Sequence, residues 1–238
     1  MLKSNADTFC FIIPAAGCGQ RMGMAIPKQY LRIPDETTHN ECVLVHVLNV
    51  FLSVDLFTKG IVVIAPDDCF WQDNIVEHAN LICLKEGGET RSQSVLNACV
   101  YLKNSIAKDI NPWVLVHDAA RPQITKSMII NMCAELKDDE VGGILAMPVV
   151  DTVKMVDVNG RIIRTLEREQ LFLAQTPQMF KLNDLIKALT YCQDQNIKVT
   201  DESSALESLG LQPRIILGDT RNFKITYPDD IKRLDNKD

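Results

Sequence analysis

The sequence has no excess of positive charge, no paired cysteines, no histidine cluster and no apolar run of membrane-spanning length. Each absence removes a class of function. Its 25 Lys and Arg are outnumbered by 31 Asp and Glu, giving a formal net charge of −6 over 238 residues. Nucleic acids and anionic membranes usually require a basic face, so neither is expected as a partner. The eight cysteines (Cys10, Cys18, Cys42, Cys69, Cys83, Cys99, Cys133 and Cys192) include no C-x-x-C pair and lie mostly in apolar runs. They read as reduced core residues of a cytoplasmic protein. His39, His46, His78 and His117 lack ligand spacing, which argues against zinc. The polar start Met1 to Asp7 lacks the apolar core of a signal peptide, and no run is long enough to span a bilayer. There is no repeat, low-complexity tract or long linker. With 46% hydrophobic residues, the chain is expected to form one domain, 1–238, around a substantial core.

Short apolar runs alternate with segments of helical period, the pattern of an α/β fold: a Rossmann-like, mostly parallel sheet with helices on both faces. Strands are predicted near Phe9 to Ile13, Gly60 to Ala65, Leu81 to Leu84, Trp113 to His117, Gly142 to Met147 and Pro213 to Leu217. Helices are predicted over Val43 to Leu52, Cys69 to Ala79, Arg91 to Lys103, Lys126 to Lys137, Leu182 to Gln195 and Glu202 to Leu209. Asp67 and Asp68, between a strand and a helix, read as helix caps rather than catalytic carboxylates. Residues 149–173 break the alternation. Around Asn159-Gly160, a two-residue turn signal, Val153, Met155, Val158, Ile162, Ile163 and Leu166 would give a hairpin arm with an apolar face that needs a partner. Packing on its own sheet is the simpler alternative.

The segment Pro14 to Gly23 follows the first predicted strand and carries Gly17, Gly19 and Gly23, which allow backbone amides to converge on phosphate oxygens. Arg21 and Lys28, the latter fixed by Pro27, add full positive charge. A Walker loop is excluded because Met24 and Ala25 follow the last glycine. The dinucleotide fingerprint is excluded because the third glycine comes one residue late and no acid ends a second strand. A tight strand-to-helix turn with solvated charges is the bland alternative. Asp118, directly after a predicted strand, would stand at the carboxyl edge of the sheet as a magnesium ligand, with Asp201 and Glu202 as weaker alternatives. His117 reads as a satisfied strand-end histidine.

Further stretches extend this reading: Gly87-Gly88-Glu89-Thr90-Arg91-Ser92-Gln93-Ser94-Val95, Val116 to Pro122, Pro148 to Lys154, Gln175 to Phe180, Thr200 to Glu207 and Asn222 to Thr226. In order and spanning nearly the whole chain, they resemble the 2-C-methyl-D-erythritol 4-phosphate cytidylyltransferases of the non-mevalonate isoprenoid pathway. The resemblance implies transfer of a cytidylyl group from CTP to that phosphate, with release of pyrophosphate and with Mg²⁺ as cofactor. It implies Arg21 and Lys28 as catalytic cations, and nucleotide contacts from Ala15, Ala16, Gly17, Gly19, Gly88, Glu89, Ser94 and Ala119. It carries acceptor contacts to Asp118, Arg121, Thr152, Arg168, Thr176 and Lys224. It further implies a homodimer that exchanges the arm, so that Thr152 and Arg168 serve the partner's site. The family's pattern commonly has an aliphatic residue at Phe223 and alanine at Ser204. Ribitol-5-phosphate cytidylyltransferases share similar motifs and are the nearest alternative; a nucleotide-binding regulator without turnover is the other. The reaction needs no nucleophile from the protein, which agrees with the lack of a Ser-His-Asp or Cys-His grouping.

Overall fold

A computed structural model of the chain describes residues 8–17, 26–34, 41–74 and 76–234. Seven strands form one sheet: β1 (Phe9–Pro14), β2 (Phe57–Val63), β3 (Leu81–Leu84), β4 (Trp113–Val116), β5 (Gly142–Pro148), β8 (Phe172–Lys181) and β9 (Arg214–Leu217). Their spatial order is β3-β2-β1-β4-β8-β5-β9. All pairs are parallel except those of β8, which runs antiparallel to both β4 and β5. The separate strands β6 (Val153–Val156) and β7 (Ile162–Leu166) pair only with each other.

Side-chain alternation along β1 explains the layers. Phe11 and Ile13 enter a core shared with α1 (Val43–Leu52) and α3 (Lys126–Leu136). Cys10 and Ile12 enter a second core with α2 (Arg91–Ser105), α4 (Leu182–Asp194) and α5 (Glu202–Glu207). A strand buried on both faces must be apolar throughout, which is why it reads as an unbroken hydrophobic run. The buried cysteines at 10, 42, 99, 133 and 192 are free thiols within these cores. The chain leaves β1 toward β2 on one side and returns to β4 on the other. Strand order therefore reverses between β1 and β4, and an open α/β sheet offers a ligand crevice at the carboxyl ends of such strands.

The fold departs from the sequence expectations in three places. No helix spans Cys69 to Ala79. A short 3-10 turn, Trp71–Asn74, takes its place, with Asp68 accepting hydrogen bonds from the amides of Phe70 and Trp71. Among its residues only Trp71 is buried, too little apolar surface to hold a longer helix. Strand β8 was unforeseen because it contains Pro177, which argues against a central strand. Its register with β5 jumps between Ile144↔Gln178 and Ala146↔Ala174, so Pro177 lies in the irregular stretch, where no ladder amide is required. The arm turn has three residues rather than two. Asp157 N–H donates to Arg161 O, Gly160 adopts φ of 77°, and the Asp157 carboxylate accepts from the amides of Asn159 and Arg161. Val158 therefore tops the turn, fully exposed, instead of joining the arm's apolar face.

Candidate active site

The loops at the carboxyl ends of β1 and β3 meet closely. A side chain at Gly87 would strike the Ala16 Cβ at 2.3 Å and the Ile64 carbonyl at 2.8 Å. Beyond Gly87, the turn into α2 is locked from within. Ser94 accepts from Gly88 N–H at 3.0 Å and donates to Thr90 O, and Thr90 caps the helix by accepting from Gln93 N–H. Thr90 is the N-cap of α2. On the opposite wall, Pro27 leads into a 3-10 turn, Lys28–Tyr30. The Gln29 amide there donates to Ala15 O and Gly17 O, and Lys28 Nζ donates to Ile225 O at 2.9 Å.

These walls enclose a cavity of about 470 Å³ lined by Ala15, Ala16, Gly17, Lys28, Gly88, Glu89, Ser94, Asp118, Ala119 and Lys224, together with Gln29, Thr90 and Arg91. A smaller cavity of about 250 Å³ is lined by Arg91, Asp118, Arg121, Gln175, Thr176, Gln178, Asp201 and Lys224. The two share Arg91, Asp118 and Lys224. A volume of this size suits a nucleotide, and the shared residues place charged side chains where two anionic ligands would meet.

Asp118, two residues past β4, is almost fully buried. Its Oδ1 accepts from Arg91 Nε at 2.8 Å, and its Oδ2 from Lys224 Nζ at 2.9 Å and Arg121 Nε at 3.2 Å. Burial alone would raise its pKa, but the Arg91, Lys224 and Arg121 cations hold it well below the usual carboxylate range. Arg91 also forks onto Glu202, at 2.6 and 3.1 Å, and Glu202 is completely buried. Three cations against two carboxylates leave the cluster one positive charge in excess, a sensible bias for a site that receives phosphates.

Behind this cluster runs a hydrogen-bonded chain. Asp118 N–H donates to Thr176 Oγ1 at 3.0 Å, and His117 bridges Thr176 Oγ1 and Arg121 O through its two ring nitrogens. A carbonyl can only accept, so His117 Nε2 carries the proton and Nδ1 accepts from the threonine hydroxyl. Burial pushes the His117 pKa down to about 4, which keeps the ring neutral at pH 7. This is the satisfied histidine the sequence suggested. Arg121 also donates to Asn222 O, and Asn222 Nδ2 to Thr176 O, tying the Lys224 segment to β8.

The sequence-predicted residues thus converge unevenly. Of the nucleotide set, Ala15, Ala16, Gly17, Gly88, Glu89, Ser94 and Ala119 line the larger cavity with Lys28; Arg121 and Thr176 line the smaller one. Thr152 and Arg168 are exposed and line neither; Arg168 donates to Val150 O. Arg21 and Gly19 lie outside the described residues, as do Cys18 and Gly23. Arg91 and Gln29 gained no site role from the sequence, and Glu202 only that of a weaker magnesium ligand. Arg91 sits inside a motif noted above and Gln29 directly follows Lys28, but only tertiary contacts reveal what their side chains hold.

A protein-held magnesium ion does not fit this arrangement. Both oxygens of Asp118 are taken by cations, Glu202 is committed to Arg91, and Asp201 caps α5 while accepting from Gln178 Nε2. No group of three or more His, Cys, Asp or Glu able to hold a metal exists among the described residues. The expectation of Asp118 as metal ligand, with Asp201 and Glu202 behind it, finds no support in this geometry, in which these carboxylates organise cations and helix ends. The two departures from the family pattern are absorbed locally. Ser204 completes the capping box of α5, and Phe223 stacks under Arg233 at 4.0 Å.

The sequence model of the 2-C-methyl-D-erythritol 4-phosphate cytidylyltransferases matches residues 9–235. The chain is 42% identical to the enzyme of that name from Pseudomonas syringae pv. syringae (strain B728a), over 98% of this chain and 96% of that protein. It is 44% identical to the one from Paraburkholderia phytofirmans, over 92% and 91%. A crystal structure of the Francisella tularensis 2-C-methyl-D-erythritol 4-phosphate cytidylyltransferase superposes with a TM-score of 0.80 at 38% identity, covering 96% of this chain and 99% of that one. A 4-diphosphocytidyl-2C-methyl-D-erythritol synthase structure gives 0.81 at 34% identity, covering 97% and 98%. With the family model matched over residues 9–235 and relatives 42% and 44% identical over nearly full length, the chain belongs to the family of 2-C-methyl-D-erythritol 4-phosphate cytidylyltransferases, a family of nucleotidyltransferases.

Proposed function

We propose that the protein transfers the cytidylyl group of CTP to 2-C-methyl-D-erythritol 4-phosphate, giving 4-diphosphocytidyl-2-C-methyl-D-erythritol and pyrophosphate. The observation that carries the reading is the pair of adjoining cavities with Arg91, Asp118 and Lys224 in common. CTP occupies the larger, with its base at the Gly88–Ser94 turn and its phosphates at the loop after β1. The acceptor phosphate lies in the smaller, against Arg121, Thr176 and Lys224. An acceptor oxygen, already anionic, attacks the α-phosphorus in line, and the bond from that phosphorus to the leaving pyrophosphate oxygen breaks. No proton must be removed from the nucleophile. Asp118 accordingly serves to hold its cations, while Lys28 and Arg21 stabilise charge on the equatorial and leaving oxygens. Magnesium commonly keeps several waters and binds through substrate phosphates; it is taken to arrive with the nucleotide, and none of these steps depends on a protein ligand to it.

The protein acts as a homodimer in which each arm reaches the partner's smaller cavity. Two features support this. Thr152 and Arg168 line neither of these two cavities, and Met155, Val156, Ile162 and Ile163 on the arm are exposed. An apolar hairpin of two strands needs something to cover it. A cytoplasmic location suits such a reaction, and no described helix is long and apolar enough to cross a membrane. The test is pyrophosphate release from CTP with 2-C-methyl-D-erythritol 4-phosphate, ribitol 5-phosphate or no acceptor. Release with the methylerythritol phosphate alone bears the reading out; release with ribitol phosphate alone transfers it to the other acceptor.

A further inference from the structure

Gln29 is a buried polar side chain, 4% exposed, in the wall of the nucleotide cavity. Its Nε2 spends both protons on backbone, donating to Ala15 O at 2.7 Å and Gly17 O at 3.0 Å. An amide with two donors that fall on alternate carbonyls of one loop holds two peptide planes at once. In a trans peptide the carbonyl and the following N–H point in opposite directions. With Ala15 O turned toward Gln29, the Ala16 N–H is turned away from it, and it donates to no described residue. Ala15 N–H, in the preceding peptide plane, is committed to Val63 O at 2.7 Å, which anchors the chain immediately before the clamped carbonyl. The second bond holds the loop at Gly17, the last described residue before the remaining glycines.

Gln29 is itself well anchored. It lies between Lys28, bonded to Ile225 O, and Tyr30, whose hydroxyl donates to Asp68 at 2.9 Å and whose ring stacks on Phe70. One three-residue turn therefore carries both a cation and the clamp on the loop facing it. We infer that Gln29 is a positioning residue for nucleotide binding: by holding the Ala15 and Gly17 carbonyls, it keeps the phosphate-loop amides aimed at the triphosphate before CTP arrives. The inference rests on the reading of this cavity as the CTP site, and it deepens that reading by separating phosphate recognition from base recognition.

The experiment compares wild type with Gln29→Met, which keeps the length of the side chain and removes both donors without adding charge. Dissociation constants for CTP, inhibition constants for cytidine, and kcat and KM for both substrates are measured, with thermal unfolding as a check on folding. Loss of the clamp weakens CTP binding by about tenfold, the magnitude expected when two backbone carbonyls lose their donor. Cytidine, which has no phosphate, binds both proteins alike. The KM for CTP rises while that for the acceptor holds. Unchanged CTP affinity in the variant, or equal weakening of CTP and cytidine, overturns the inference while leaving the CTP site intact. Failure of wild type itself to bind CTP overturns both the site reading and the clamp built on it.

Discussion

The loop wall around the larger cavity and the β6–β7 arm both carry polar side chains that the proposed reaction assigns to phosphates, but they hold them differently. In the wall, Lys28, Gln29, Ser94, Arg91 and Asp118 each make a hydrogen bond or ion pair to a second element. Those elements start from strands buried on both faces. In the arm, Thr152 just precedes β6 and Arg168 lies two residues past β7, two strands joined only to each other, with apolar side chains facing outward. A site that must meet a highly charged nucleotide is pre-organised within one chain, because cations brought together without partners would repel one another. Asp118 and Glu202 are the anions that make their assembly affordable. The arm lacks such internal support, and under the dimer reading its order comes from a second copy.

The comparison can be broken at its strongest point first. Glu202→Ala leaves Arg91 with half of its fork in a buried setting, and should destabilise the fold by about 3–5 kcal/mol; denaturant titration measures it, and a loss below ~1 kcal/mol would mean that the strut is dispensable. Lys28→Ala should leave stability nearly unchanged while lowering turnover on the order of 10²–10³-fold, as loss of a donor to developing charge does. Steady-state pyrophosphate release reads this effect, and comparable turnover in the variant would remove Lys28 from the mechanism.

The wall should also show itself through pH. His117 falls from its ordinary 6.5 to about 4 because burial disfavours the charged ring. The unfolded chain binds the proton first, so this contribution is complete above about pH 6.5 and is lost as pH falls toward about 4, on the order of 3 kcal/mol in all. Asp118, whose carboxyl is held down, adds a loss at still lower pH. Thermal unfolding between pH 7 and 4 should slope steeply in wild type and less so in His117→Gln; identical slopes would show that the ring titrates freely.

For the arm, the sharpest test is complementation. Lys28→Ala and Arg168→Ala are each expected to be poorly active alone. Mixed after reversible dissociation, they should regain about a quarter of wild-type activity, since half of the randomly formed dimers are mixed and each has one intact composite site. No recovery, with mixed dimers demonstrably formed, would place Arg168 at its own chain's site or at none.

Much of this was legible in the residues themselves. β1 and β4 are apolar on every side chain because both faces are covered, and α1 runs over Val43–Leu52 as its period predicts. The glycines and Lys28 announced an anion site for local reasons of conformation and charge. Strand β8 was hidden because Pro177 speaks locally against a strand and only its neighbours β4 and β5 supply a ladder. The cations that hold Asp118 were hidden for a related reason: a carboxylate just past a strand end looks free until the side chains that surround it are known.

The sequence by itself determined six of the sheet's seven strands, the glycine-rich stretch after β1 and the resemblance to a cytidylyltransferase, since each rests on motifs that are local in the chain. Only the tertiary structure decided what those residues do to one another. Arg91 meets Glu202 across 111 positions, and Lys28 meets Ile225 across 197. Ion pairs and hydrogen bonds depend on distances of about 3 Å between atoms, and separations in the sequence do not encode such distances until the chain has folded.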